Sequence, residues 1–235
     1  VSLKYKRALL KLSGGALTDG RDVSIDPKTL EYVTGEITGA VAEGLELAIV
    51  VGGGNYFRGR RADEWKLDRI TVDYMGMLGT VMNGLALANA LADKKVSATV
   101  MSSFPVGEVC DLYDRRRALE RIDEGVVIFV GGTGHPFFTT DTTAALRACE
   151  INAEVLLKAT DVDGIFDADP DENPNAKLIP EMSYIDVVKG VLPVLDATAA
   201  ALCMQYKVPM IVYNGTIAGN LLKIVNGEKT GTKVG

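Results

Sequence analysis

Short apolar runs alternate with longer stretches of helical period along this chain. Arg7–Leu12 (RALLKL) reads as a strand. Asp26-Pro27 offers an N-cap and a proline at the first helical position. Leu30, Val33, Ile37, Ala40 and Val41 then recur at helical spacing, and Gly44 ends the run. Leu47–Val51 (LAIVV) is a second strand and runs directly into Gly52-Gly53-Gly54. A charged connection, Arg58 to Arg69, precedes a long apolar helical pattern from Ile70 to Ala92. Its Met75, Met77 and Met82 read as packing filler. The pattern is apolar almost all round, so part of it is a candidate oligomer contact.

Further on, Val96–Met101 is a third strand, Asp114–Glu124 a helix, and Val126–Val130 a fourth strand. Thr142–Ile151 is helical and Ala153–Lys158 is a fifth strand. DVDG (Asp161–Gly164) reads as a turn. Asp167–Pro180, rich in Pro, Asn and Asp, reads as a loop or a long hairpin. Asp196–Tyr206 is a helix capped by Asp196, Pro209–Tyr213 a strand, and Ile217–Val225 a final helix.

Strands alternating with helices predict parallel pairing and an α/β sandwich in a single domain. In open parallel sheets, ligands sit beyond the carboxyl ends of the strands. Three glycine-rich segments fall at such ends: Ser13-Gly14-Gly15, Gly52-Gly53-Gly54 and Gly131-Gly132-Thr133-Gly134. Glycine lets backbone N–H groups approach an anion closely, and a following helix N-terminus adds a favourable field for phosphate.

Composition narrows the partners. The 235 residues are 47% hydrophobic and 24% charged, with a net charge of −6, which argues against a nucleic-acid partner. The one dense basic run, Arg115-Arg116-Arg117, reads as a solvated helix face. Cys110, Cys149 and Cys203 form no CxxC and read as buried free thiols of a reducing compartment. The opening VSLKYKRALLKLSGG lacks the apolar core of a secretory leader. No window approaches ~18 uninterrupted apolar residues. The expectation is a cytoplasmic protein with no membrane span.

Several chemistries are excluded by motif. No Gly-Lys pair exists, so there is no P-loop, and no G-x-G-x-x-G follows the first strand. The single histidine, His135, has no G-x-S-x-G partner segment. No Cys/His cluster suits zinc. DADPDEN starts like a calcium loop but has Glu172 and Leu178 where Gly and Glu are needed. Two lysines remain conspicuous. Lys11 and Lys158 lie within or at the end of apolar strands, where an ammonium needs an anionic partner. Asp141, at the start of a helix and also readable as its N-cap, is a candidate. Arg58 follows the triple glycine on a loop able to lean over the same edge.

The segments KLSGG, GGGNYFRG, DYMGMLGTVMNGLAL, GGTGHPFFTTD, LLKATDVDGIFDADP and NGEKTGT occur in this order. Together, from Tyr5 to Thr232, they resemble the bacterial uridylate (UMP) kinases of the amino-acid kinase superfamily. The resemblance implies a three-layer α/β/α sandwich with a mainly parallel sheet. It implies one domain over residues 1–235, with the UMP-binding part over about 1–150 and the ATP-binding part over about 151–235. It implies transfer from ATP-Mg²⁺ to UMP, giving ADP and UDP, in a homohexamer.

Carried over by motif, the resemblance gives Lys11, Lys158, Asp141 and Arg58 catalytic roles. Lys11, Leu12, Ser13, Gly14, Gly54 and Arg58 would approach ATP phosphates, and Thr160, Phe166 and Asp169 its nucleoside. Gly53 and Asp73 would contact UMP, with Asp73 near the ribose. Thr133, Gly134, His135, Pro136, Phe137, Phe138, Thr139 and Thr140 would wrap UMP, the phenylalanines walling off its pocket. No residue is assigned to the metal itself. Gly15 departs from the family, which commonly has Glu after KLSG. The family's regulation by GTP as activator and UTP as inhibitor is also implied. The segment from Asp93 to Arg121 carries no matching motif, which leaves GTP activation open. The competing readings are a carboxylate kinase of the same superfamily and a nucleotide-binding regulatory protein without transfer activity.

Overall fold

The computed structural model describes residues 3–20, 25–58, 63, 65–170, 172–173, 175–189 and 196–235. Parts of the expected connection from Arg58 to Arg69 and of the loop from Asp167 to Pro180 lie outside the described residues. Among the described residues, eleven strands and seven α-helices occur in chain order: β1 (Arg7–Leu12), α1 (Pro27–Ala42), β2 (Glu46–Val51), α2 (Arg69–Asp93), β3 (Ala98–Ser102), β4 (Asp111–Leu112), α3 (Arg115–Glu124), β5 (Val126–Val130), α4 (Thr140–Glu150), β6 (Val155–Thr160), β7 (Ile165–Phe166), β8 (Leu178–Ile179), β9 (Glu181–Met182), α5 (Tyr184–Val188), α6 (Ala197–Tyr206), β10 (Met210–Asn214), α7 (Asn220–Val225) and β11 (Thr232–Val234).

Nine of these strands form one sheet in the order β4-β3-β5-β2-β1-β6-β10-β11-β9. Its pairs are parallel except β10 with β11. β7 and β8 pair as a separate antiparallel hairpin across the Asp167–Pro180 stretch read as a loop or long hairpin. The central strands are buried on both faces, so they read as continuous apolar runs rather than alternating ones. Along β1, Ala8, Leu10 and Leu12 join a core with α1, α2 and α7, while Leu9 points into a second core under α3, α4, α5 and α6. That is the expected three-layer sandwich.

Helix boundaries follow side-chain caps. Asp26 accepts from the Thr29 N–H at 2.7 Å, so α1 starts at Pro27. Asp68, Asp114 and Asp196 cap α2, α3 and α6 in the same way. Three expectations shift. α4 begins at Thr140 and its cap is Thr139, not Asp141. α7 begins only at Asn220, because Gly219 has φ +80° and breaks the apolar pattern before it. β3 begins at Ala98, since the Val96 N–H still bonds back to Leu91 at the end of α2.

α2 is long and apolar enough by length and composition to cross a membrane. Here it flanks the sheet: Val81, Leu87 and Leu91 are buried in the first core. The opposite face leaves Ile70, Tyr74, Leu78, Met82 and Leu85 exposed, so Met82 is not the packing filler it was expected to be. The arginine run is spent on local partners: Arg115 on the Glu150 carbonyl, Arg116 on Glu120 and Arg117 on Asp111. Of the three free thiols only Cys203 is fully buried, and burial pushes it up to about 12.

Candidate active site

Period-two alternation puts Lys11 and Lys158 on the face of the sheet that α4 covers. Their strand neighbours Leu10, Leu12, Leu157 and Ala159 all face the other core. β1 and β6 pair in register so that Lys11 stands directly opposite Lys158. Two ammonium groups on adjacent strands repel unless an anion lies between them. Asp141 supplies it. One carboxylate oxygen lies 3.0 Å from the Lys11 Nζ, and the other accepts from the Lys158 Nζ at 2.6 Å.

All three side chains are largely shielded, with 11%, 12% and 15% of Lys11, Lys158 and Asp141 exposed. Burial is the largest influence on Asp141 and works against its charge. The two ammonium groups together outweigh it and hold the carboxyl below its usual value. Lys158 goes the other way: burial lowers its pKa, and Asp141 restores only part of the loss. The site is thus a charged triad with net +1, poised toward an anion.

Asp141 reaches the lysines because α4 starts over the carboxyl ends of β1 and β6. The Thr139 hydroxyl accepts from the Asp141 and Thr142 N–H groups, each at 3.1 Å, and fixes the first turn. The helix N-terminus therefore opens onto the same space, which favours negative charge there.

That space is a cleft of about 500 Å³ lined by all three glycine-rich segments. Of the expected site residues, Lys11, Ser13, Gly14, Gly53, Gly54, Arg58, Asp73, Thr133, His135, Phe138, Thr139, Thr140 and Asp141 line it, while Lys158 does not and reaches it only through its pairing with Asp141. Backbone contact builds the floor: the Gly52 N–H donates to the Leu12 carbonyl at 2.8 Å. Gly53 packs against α2, where a Cβ would sit 2.1 Å from the Gly76 carbonyl oxygen. This glycine is demanded by packing as well as by any ligand. In the third segment Gly131, Gly132 and Gly134 have φ of +76°, +57° and +82°, so the turn that returns the chain from β5 to α4 needs them.

Other expected residues lie elsewhere. The Leu12 side chain is buried in the core, leaving only its backbone near the cleft. Phe137 is 64% exposed and its ring does not line the cleft, so only Phe138 has the wall position expected of both. Phe137 has φ +71°. Its N–H donates to Asp73 at 2.8 Å, so that carboxylate holds the loop. Gly134 and Pro136 shape the same loop without lining the cleft. Thr160 is the last residue of β6 and Phe166 and Asp169 follow it, all three outside the cleft. The Thr160 hydroxyl is engaged with the Val162 and Tyr213 carbonyls, and Asp169 is exposed.

Sequence reasoning missed the supports. Arg69 lines the cleft and pairs with Asp73 at 2.9 Å, and its position at the first residue of α2 was the available signal. Asn83, fully buried, donates to the Gly52 carbonyl at 2.8 Å and to Asn55 at 2.8 Å. Thr80 accepts from the Gly131 N–H at 2.6 Å. Arg147, packed 3.6 Å from the Tyr113 ring centroid, donates to the Ser103 hydroxyl. Ser103 in turn donates to the Gly132 carbonyl at 2.5 Å. No spacing rule marks such contacts, because their partners lie dozens of residues away.

No group of three or more His, Cys, Asp or Glu able to hold a metal occurs among the described residues. The central carboxylate, Asp141, is taken up by two lysines. The donor set therefore builds no resident metal cage. Mg²⁺ is bound commonly through substrate phosphates rather than by an all-protein cage.

The profile of the amino acid kinase family matches residues 6–214. The chain belongs to that family. Among amino acid kinases it is 47% identical over 238 residues to the chloroplastic uridylate kinase PUMPKIN of Arabidopsis thaliana, spanning 99% of this chain and 69% of the relative. The UMP kinase of Bacillus anthracis superposes with a TM-score of 0.94 at 42% identity, over 98% of this chain and 96% of that one. The UMP kinase of Ureaplasma parvum gives 0.90 at 34% identity, over 98% and 99%. The uridylate kinase of Archaeoglobus fulgidus gives 0.73 at 28%, over 97% and 99%.

Proposed function

We propose that this amino acid kinase is a UMP kinase: it transfers the γ-phosphoryl group of ATP to a phosphate oxygen of UMP, giving UDP and ADP. The observation that carries the reading is the register of Lys11 against Lys158 with Asp141 between them, where Lys11 and Asp141 line a cleft built from glycine turns.

The chemistry suits these groups. A phosphate monoester has its second pKa near ~6, so the acceptor is mostly dianionic at neutral pH and needs no general base. Its oxygen attacks the γ-phosphorus as the bond to the β,γ-bridging oxygen breaks and ADP leaves. The barrier is repulsion between anions and charge on the transferred group. Positioning and cations lower it. Lys11 and Lys158 flank the transferred group, and Arg58 offers planar donors to phosphate oxygens. Mg²⁺, carried on ATP, would neutralise charge on the donor phosphates, with no residue of the chain assigned to hold it.

Asp73, Thr133, His135, Phe138, Thr139 and Thr140 are assigned to the UMP side, and Ser13, Gly14 and Gly54 to the ATP phosphates. Thr160 at the end of β6, with Phe166 and Asp169 beyond it, marks the side on which the ATP nucleoside would extend. On this reading residues about 1–150 serve the acceptor and about 151–235 the donor. The exposed apolar face of α2 is assigned to self-association, in keeping with a homo-oligomer.

The test is ADP release from MgATP with UMP, CMP, AMP, aspartate and glutamate as separate acceptors. UMP-selective turnover is expected. Turnover with an amino acid but not UMP would overturn the assignment of the acceptor.

A further inference from the structure

Asp196 caps α6, and its carboxylate does more. One oxygen accepts from the Ala199 N–H at 2.8 Å, which is the capping bond. The Thr142 hydroxyl donates at 3.0 Å to both oxygens, and the Thr139 hydroxyl makes a short bond to Oδ2. Thr139 is the residue that caps α4 and holds the Asp141 N–H.

The direction of these bonds matters. A threonine hydroxyl has one hydrogen and two acceptor lone pairs. Thr139 accepts from two backbone N–H groups, so its single hydrogen must go elsewhere, and it goes to Asp196. An acceptor-only carboxylate at 196 is therefore what aims the Thr139 lone pairs at the Asp141 backbone. Asp196 also adds negative charge near Lys158 that favours its ammonium form, alongside Asp141 and against Lys11.

We propose that Asp196 is a positioning residue for phosphoryl transfer, which orients the Thr139 hydroxyl and through it sets Asp141 between the two lysines. It sits on the segment leading into α6, so it fastens the donor side of the protein to the end of the acceptor loop. This role rests on the UMP kinase reading.

The test is Asp196→Asn. Asparagine caps helices about as well as aspartate, so α6 and the melting temperature are expected to hold. Its amide hydrogens, however, face hydroxyls that must now turn around. The expected result is a kcat lower by about 10- to 100-fold, the scale of one lost charge-assisted hydrogen bond, with both KM values within about threefold of the parent. A purely structural cap would leave both the melting temperature and kcat in place, and an unchanged kcat would overturn the proposal.

A double-mutant cycle with Thr139→Val gives a second route. If Asp196 acts through that hydroxyl, adding Asp196→Asn to Thr139→Val changes kcat little further. Fully multiplicative losses would overturn the proposal. The same cycle read by urea unfolding tests the Thr139–Asp196 link without any acceptor. Absence of UMP-dependent turnover in the parent would instead remove the UMP kinase reading, while non-additivity in urea would still support the link.

Discussion

Asp141→Asn removes one charge and almost no volume. Two ammonium groups in register on adjacent strands then lose the anion between them. If both stayed charged, the cost would be that of a broken buried pair, about 3–5 kcal/mol. A lysine can instead release its proton. From the ordinary value of 10.5, neutralisation at pH 7 costs about 5 kcal/mol. Burial already holds Lys158 below that value, so its cost is smaller. The variant is therefore expected to fold with a neutral Lys158.

Transfer in that variant lacks one cation. Removing a single preorganised donor typically costs roughly 10²–10³ in kcat, and a loss of that order is expected at pH 7.5. The assay is a coupled measurement of ADP release at saturating MgATP and UMP, with circular dichroism on the same samples. The proton supplies a second signature. Lowering the pH favours the charged form of Lys158, so the variant's kcat should rise toward lower pH across the window above ~6 in which the acceptor phosphate stays mostly dianionic. A folded variant with kcat within about threefold of the parent, flat across that window, would refute the reasoning.

Because the folded pKa of Asp141 is lowered, its ion pairs contribute fully above the ordinary value of 3.8 and are lost as pH falls through the folded value. The gap in urea midpoint between the parent and Asp141→Asn should therefore close under acid. Asp73→Asn keeps an acceptor for the Phe137 N–H but loses charge opposite Arg69, so the KM for UMP should rise with that for ATP unchanged; a change confined to ATP would move Asp73 off the acceptor side. Gly53→Ala drives a Cβ into the backbone of α2 and should cost about 1–3 kcal/mol, read as a lower urea midpoint. At Gly15 an added Cβ meets nothing closer than the Ser13 hydroxyl oxygen at 3.8 Å, so the melting temperature of Gly15→Glu should match the parent.

Much of this was legible beforehand because it is written locally. Apolar runs gave the central strands, and aspartates at helix starts gave the caps Asp26 and Asp196. Glycines after strands gave the cleft. The short strands β4, β9 and β11 were not legible, since two or three residues carry no period and owe their pairing to a neighbour. The same limit hid the cap of α4. Thr139 and Asp141 both suit an N-cap, and only the lysines across the sheet decide that Asp141 turns away from its own helix. Phe137 failed for a backbone reason: φ +71° in a glycine-rich turn swings its ring outward. Supports such as Asn83 and Ser103 act across the fold, where sequence distance says nothing.

The pairing of β1 with β6 also divides the sheet. Strands β2, β5, β3 and β4 lie on one side of that seam, and β10, β11 and β9 on the other. Neighbouring strands stand about 4.8 Å apart, fixed by the backbone ladder rather than by any side chain. The two ammonium groups thus inherit their separation from a ruler shared by every β-sheet. A slip of one residue would carry one lysine about 3.3 Å along its strand and turn it to the opposite face. Loops on either bank can lengthen, shorten or change charge without touching that gap. The rims are free to drift, while the span between the two ammonium groups stays locked in the lattice beneath.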